Sequence, residues 1–351
     1  MKKWRSSSRR NSGSRRASSA PSRGPAEGLA PLFKPRRREL FRQQLLQWYD
    51  SQKRDLPWRV DRDPYHVWLS EIMLQQTRVA AVVDYYQRFL RRFPTVERLA
   101  SARLASVLAV WSGLGYYRRA RMLHEAARKI VKEYAGEFPR TAEGLRELPG
   151  IGRYTSAAIA SIAFGQPVAV VDGNVERVLQ RVSGRPLSAG ARWQSAEELL
   201  STARPGDFNQ AMMELGATVC LPGQPTCHAC PVFELCATRG AIAKSKKESR
   251  QKRDISYALD RRPDAVFLVQ RSPAATLMPG MWELPETSSA NGVATQALTL
   301  KHAITVTDYS VRVLHEPAPS GLKGRWVPDS QLARLPLTGL TRKILRAAEI
   351  I

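Results

Sequence analysis

Between residues 38 and 240 apolar side chains return every three or four positions, and no stretch alternates clearly between apolar and polar. That spacing lines one face of an α-helix. Residues 39–52 carry Leu40, Phe41, Leu45, Leu46 and Trp48 in this way, and residues 78–92 carry Val79, Val82, Val83, Tyr86, Phe89 and Leu90. Residues 99–111, 119–134 and 152–164 continue the rhythm, so the pattern predicts an all-α domain over residues 39–240. A basic stretch, 241–254, then breaks the periodicity and reads as a linker. Beyond it, residues 264–270 and 309–314 are short β-branched runs separated by Pro and Gly turns. Residues 255–351 are therefore expected to form a small α+β domain. The fold class is mostly α with a mixed C-terminal domain, and nothing repeats at a solenoid period.

Length and charge add constraints. A chain of 351 residues has room for about two domains. No stretch approaches the roughly 20 apolar residues of a membrane span. A net charge of +24 and a pI near 10.5 favour a polyanionic partner, although a merely Arg-rich surface gives the same balance. Residues 1–38 hold twelve Lys and Arg against a single acid, Glu27. Such a segment cannot bury a core and reads as a basic disordered tail, an arm that tracks phosphates. Its Arg-rich, Ser-rich, acid-poor opening also fits an organelle transit peptide. With no apolar secretion core, the expected location is the cytoplasm beside the nucleoid, or an organelle or nucleus in a eukaryote.

Four stretches could carry chemistry. Glu71 is the only charge between His66 and Arg78, set among Val67, Trp68, Leu69, Ile72, Met73 and Leu74. Poor solvation would raise its pKa toward neutrality, unless its head simply reaches water. Pro149, Gly150, Ile151 and Gly152 form a tight link between two helical patterns. Such a link is either an ordinary turn or a place where backbone amides hold a phosphate. Asp172 and Asn174 follow a short apolar run and precede another helical pattern, so either could be a plain N-cap. A helix N-terminus also keeps a carboxylate ionised. One acid kept protonated and one kept charged are what acid-assisted cleavage of a glycosidic bond requires. Finally, Cys220, Cys227, Cys230 and Cys236 lie in one loop with spacing C-x6-C-x2-C-x5-C. Zinc suits four thiolates, but a ribbon pairs two C-x-x-C knuckles and only one is present, so the compact spacing favours an iron–sulfur cluster.

Together these residues resemble the adenine DNA glycosylases. The likeness runs through Leu56-Pro-Trp-Arg59, Pro64 to Thr77, Gly113-Leu-Gly-Tyr-Tyr117, Leu148 to Thr155, Val171 to Val175, Phe208 to Gly216 and the cysteine loop. The resemblance implies a helix-hairpin-helix glycosylase fold with a 4Fe–4S cluster, double-stranded DNA bearing A:8-oxoguanine or A:G mispairs as partner, and action as a monomer. It implies that Glu71 protonates the adenine ring at N7 and that Asp172 stabilises the cationic sugar. Tyr154 and Asn174 would position the sugar and Asp172, and Arg59 and Gln210 would bond the extruded base. Gln76 and Tyr116 would wedge into the duplex. Tyr154 stands where endonuclease III type relatives place a nucleophilic lysine, and the neighbouring Arg153 is no substitute, so a monofunctional enzyme is expected. Thymine opposite guanine is the nearest alternative substrate, and a non-enzymatic iron–sulfur DNA-binding protein is the competing class.

The stretches 266–271 and 277–285 resemble a Nudix-like domain that checks 8-oxoguanine in this family. Where many relatives end the lesion-reading loop in Ser-His, this chain has Thr305 and Val306. Thr305 keeps one hydrogen-bonding group for lesion recognition, whereas the Val306 side chain has none. His302 lies earlier and is expected to serve a structural role.

Overall fold

Proline and short polar caps set the helix starts. Pro35, Pro64 and Pro205 open three helices at the first position, where a missing N–H leaves no bond unmade. The Asp63 side chain also caps the helix that Pro64 opens, and those of Thr95, Thr141, Asp172 and Ser188 accept first-turn amides at four others. The computed structural model describes residues 31–240, 251–288, 295–304 and 307–351. Its helical part runs α1 (Pro35–Gln52), α2 (Pro64–Leu74), α3 (Val79–Arg92), α4 (Val96–Ala100), α5 (Leu104–Trp111) and α6 (Arg118–Tyr134). It continues through α7 (Ala142–Arg146), α8 (Arg153–Phe164), α9 (Gly173–Ser183), α10 (Ala189–Leu199) and α11 (Pro205–Thr218).

The first helix starts earlier than the apolar rhythm suggests. Pro35 supplies the start, Phe33 packs on Phe41 with ring centroids 5.8 Å apart, and the Leu32 amide donates to Glu198. Part of the expected tail, from Leu32 onward, is thus ordered. Helix α2 is buried on nearly every side, from Val67 through Met73, and lies against α3, α6 and α8. A helix apolar all round belongs in the middle of a domain. Edge-on aromatic pairs, Trp68–Phe138 at 5.5 Å and Phe89–Trp111 at 5.9 Å, close the core about it.

The C-terminal part comprises β1 (Gln251–Ala258), β2 (Arg261–Arg262), β3 (Ala265–Gln270), β4 (Trp282–Glu283), β5 (Glu286–Thr287) and β6 (Thr295–Ile304). Then follow β7 (Thr307–His315), β8 (Gly324–Pro328), α12 (Asp329–Leu332) and α13 (Gly339–Ala347). One sheet has the order β5-β1-β7-β6, with β1 parallel to β7 and the other pairs antiparallel. The second is antiparallel, β2-β3-β4, with β8 also on β3. Leu340, Ile344 and Leu345 of α13 fill the space beside Val266, Leu268, Val311 and Val313. Strand β1 begins at Gln251, inside the stretch that composition marks as linker. Its exposed polar half pairs with β7 through the backbone, which needs no apolar side chains.

The two parts meet closely. Met281 is fully buried in the core of the helical part. Ser112 Oγ and Tyr117 Oη both donate to the Leu337 carbonyl, at 2.7 and 3.2 Å. Arg342 Nε donates to Ser112 Oγ at 3.0 Å, and Arg121 donates to the Pro279 carbonyl. Among the described residues no helix is long and apolar enough to cross a membrane.

Candidate functional site

A cleft of about 1830 Å³ opens between the helical part and the C-terminal part. Helix α2 brings Glu71 to it, the following turn Gln76, and the loop before α6 Tyr116. Pro149, Gly150 and Gly152 of the hairpin, Tyr154 of α8, Asp172 and Asn174 at the head of α9, Arg59, and Gln210 of α11 complete the helical wall. Residues from widely separated parts of the chain thus converge on one site.

Glu71 is buried, 6 % exposed, and its Oε2 accepts a 2.6 Å hydrogen bond from Tyr154 Oη. Burial pushes its carboxyl up to about 7, the Tyr154 bond partly opposes this, and the charge of Asp172 adds to it. Near neutrality Glu71 is therefore an acid with a proton to give. Burial, together with the neighbouring carboxylates, holds the Tyr154 phenol far above its ordinary value, so it remains a donor.

Asp172 caps α9. Its Oδ1 accepts from the Val175 amide at 2.7 Å and its Oδ2 from Asn174 Nδ2 at 2.9 Å. Position at a helix N-terminus predicts a carboxyl held charged, yet burial raises its pKa, and the donated bonds only moderate the rise. The two carboxyls therefore shift in the same direction, Glu71 to about 7. Asn174 is itself held, because its Oδ1 accepts from Arg177 Nη2 at 2.8 Å. Arg177 also donates to the carbonyls of Gly216 and Cys220, at 2.7 and 2.8 Å, tying the head of α9 to the cysteine loop.

Arg59 has a partner that local sequence does not reveal. Its Nη2 donates to Glu214 Oε2 at 2.8 Å, and Arg54 closes on the same carboxylate at 2.6 and 2.8 Å. Arg59 Nε is buried with no partner among the described residues, which leaves a donor beside the cleft. Gln76 and Tyr116 share an unusual feature: both have positive φ, 56° and 48°, although neither is glycine. Such strain collects at functional sites. Tyr116 is 47 % exposed, a large apolar ring held out from the surface.

The hairpin residues divide. Gly150 has φ +78°, and a Cβ there would meet Met122 Cβ at 2.8 Å, so only glycine fits. Gly152 caps α8 with no neighbour within 4 Å of a Cβ position, leaving the amide end of that helix open. Ile151 does not join the cleft: its side chain is buried in the helical core and its amide donates to Leu148 O. Thr305 and Val306 lie outside the described residues. His302 lines the cleft beside Lys343, and burial together with that lysine lowers its pKa.

The cysteine loop follows α11. Arg181 is buried, and its Nη1 donates to Cys220 Sγ at 3.1 Å and to Leu221 O at 2.9 Å. Burial pushes the Cys230 thiol up to about 11, and the charges of Cys220, Cys236 and Cys227 all act in the same direction. Among the described residues no three His, Cys, Asp or Glu side chains are close enough to hold one metal ion.

A helical part built around a glycine hairpin, with a buried acid across from a capped aspartate, has the architecture of the helix-hairpin-helix base-excision proteins. Residues 69–200 match the HhH-GPD superfamily base excision DNA repair protein family. The chain is 54 % identical over 221 residues to an adenine DNA glycosylase of Rattus norvegicus, covering 59 % of this chain and 43 % of that protein. It is 33 % identical over 318 residues to an adenine DNA glycosylase of Schizosaccharomyces pombe, covering 70 % of this chain and 69 % of the relative. A solved thermostable thymine-DNA glycosylase superposes with a TM-score of 0.55 at 32 % identity, covering 58 % of this chain and 97 % of that one. The chain belongs to the HhH-GPD superfamily of base excision DNA repair proteins, in its adenine DNA glycosylase family. It spans less than half the length of the rat relative.

Proposed function

We propose that the protein hydrolyses the N-glycosidic bond of adenine mispaired with 8-oxoguanine or guanine in duplex DNA and leaves an abasic site. The observation that carries this reading is Glu71, buried, bonded by Tyr154 and carried to about 7 in a cleft shared with Asp172. The adenine is extruded, with Gln76 and Tyr116 offsetting part of the unstacking. Arg59 and Gln210 hold the base. As the glycosidic bond breaks, the Glu71 proton passes to the leaving adenine, and the Asp172 carboxylate stabilises the positive charge left on the sugar. Water adds to that carbon and gives its proton to Glu71, which restores the acid. Tyr154 offers no amine for a Schiff base, so the strand stays intact.

Double-stranded DNA is the proposed partner. The open amide end of α8 and the cations Arg118, Lys343 and Arg346 in the cleft suit its phosphates. The C-terminal part is proposed to check the opposing base. The cysteine loop is proposed to hold a 4Fe–4S cluster through Cys220, Cys227, Cys230 and Cys236. An all-sulfur donor set of four free cysteines in one loop suits it. Such a cluster would cross-link the loop, and Arg181 would donate to one of its sulfur ligands.

Single-turnover assays on labelled duplexes with A opposite 8-oxoguanine, G or C, and T opposite G, followed by alkali, test this. Cleavage at A opposite 8-oxoguanine and G alone supports the proposal. Cleavage at T opposite G would favour the second reading, a thymine glycosylase, which the solved relative supports. No cleavage by intact, DNA-binding protein would leave a binder. Iron content and visible absorption separate the cluster from zinc.

A further inference from the structure

The two strained positions at the rim of the cleft are joined by one side chain. Arg119, in the first turn of α6, turns its guanidinium into the gap between the end of α2 and the loop before α6. Its Nη1 donates toward the carbonyls of Ile72, Met73 and Gln75, at 2.9, 2.8 and 2.5 Å. Its Nη2 reaches Thr77 Oγ1 at 3.2 Å and the Gly115 and Leu114 carbonyls at 3.2 and 3.4 Å. Gln76 and Tyr116 are the non-glycine residues with left-handed backbone on the helical wall of the cleft, among the described residues, and each is flanked by these acceptors. The guanidinium also lies 5.4 Å from the Tyr116 ring centroid.

We infer that Arg119 is a positioning residue that sets Gln76 and Tyr116 as one rigid wedge, so that base extrusion, and not the bond-breaking step, depends on it. This rests on the reading of the cleft as a base-extruding site. The physics favours a single clamp. Each left-handed non-glycine residue carries strain that persists only when its surroundings over-determine it. Gln75 O, Thr77 Oγ1 and Gly115 O adjoin the two strained residues and all accept from the same cation, while Gly115 O also accepts from Trp111 Nε1 at 3.1 Å. Burial lowers the Arg119 pKa, to about 10, which still leaves the guanidinium charged at neutrality. A lysine has three donors from one point and cannot span acceptors on two separate segments. Arg119 touches no acid: none of its hydrogen-bond partners is a carboxylate among the described residues.

The test separates extrusion from chemistry. Arg119→Lys and the milder Thr77→Val are compared with wild type on two substrates: adenine opposite guanine in a duplex, and adenine left unpaired in a bulge. For Arg119→Lys, single-turnover excision from the duplex should fall on the order of a hundredfold, the usual effect of a misplaced group, and the bulged adenine should recover most of that loss. Thr77→Val should show a smaller loss with the same recovery. In parallel, 2-aminopurine placed at the target base reports unstacking on binding, and it should brighten with wild type and stay dim with Arg119→Lys. Equal losses on both substrates, no loss on either, or normal brightening with the variant would overturn the proposal. If wild type unstacks the base but excises no adenine, the glycosylase reading fails while the fluorescence comparison still decides the role of Arg119. Thr77→Val, which keeps the buried cation, decides the matter if Arg119→Lys does not fold.

Discussion

Glu71 and Glu214 line the same cleft from α2 and α11, and both are shut away from solvent, 6 % and 1 % exposed. Their protonation differs sharply. Burial pushes Glu71 up to about 7. Burial acts on Glu214 in the same direction, yet hydrogen bonds from Arg54 and Arg59 overcome it and hold that carboxyl at about 2. The difference lies in the partners. Glu214 receives two guanidinium groups, whereas Glu71 receives a neutral phenol and faces a second carboxyl at Asp172. A phenol fixes where a carboxyl points without supplying the positive charge that would strip its proton. Burial therefore makes a carboxyl reactive only where no cation is bound to it.

The largest expected effect breaks the comparison at its reactive end. Glu71→Gln keeps the shape and loses the transferable proton, so excision in single-turnover assays should fall on the order of a thousandfold. Affinity for the mispaired duplex should survive. Retained excision by that variant would falsify the assignment of Glu71 as the acid. Glu214→Gln probes the other end. It leaves Arg54 and Arg59 facing a neutral amide in a buried corner, which should destabilise the fold by about 3 kcal/mol in denaturant titrations. The contrast sharpens with pH. The Glu214 carboxyl is depressed in the fold, so its contribution is complete above the ordinary glutamate range and is lost as pH falls toward about 2. The Glu71 carboxyl is raised, so its contribution is present in acid and lost as pH rises through about 7. Above that pH Glu71→Gln should melt later than wild type, while Glu214→Gln melts earlier.

Much of this was legible in the chain. The helical rhythm up to residue 240 gave the fold class, and Glu71 stood out because it is a lone charge in an apolar run. The strands at β3 and β7 were visible for the same reason, since their apolar residues cluster. What stayed hidden depends on distant partners. Arg54 and Arg59 find Glu214 across 160 and 155 residues, a pairing that no local spacing encodes. Arg119 looks like one more basic residue in an Arg-rich turn until its carbonyl partners on α2 are seen. The Asp172 shift was missed because the N-cap position is local whereas the wall that buries it is not. Ile151 shows the limit of a short motif: the four residues of the link cannot tell which side chain faces the core.

The smallest effect concerns the phenol that distinguishes the two glutamates. Tyr154→Phe removes the 2.6 Å bond to Glu71 and should slow excision about tenfold near neutrality, the usual worth of one buried hydrogen bond to an ionisable group. The pH profile carries the sharper information. The acid form of Glu71 is the active one, so the wild-type rate should decline as pH rises beyond about 7. The Tyr154 bond lowers the Glu71 pKa, because it favours the charged carboxylate. Without it Glu71 holds its proton to higher pH, and the alkaline limb should move upward. The variant's deficit relative to wild type should then be smaller at pH 8.5 than at pH 6.5. On the acid side both profiles should fall together, since that limb belongs to Asp172, whose hydrogen bonds to Val175 and Asn174 the substitution leaves in place. An alkaline limb that stays put, or moves down, would mean that Tyr154 orients Glu71 without tuning its proton, and that the guanidinium groups on Glu214 and the charge of Asp172 beside Glu71 set the two glutamates apart.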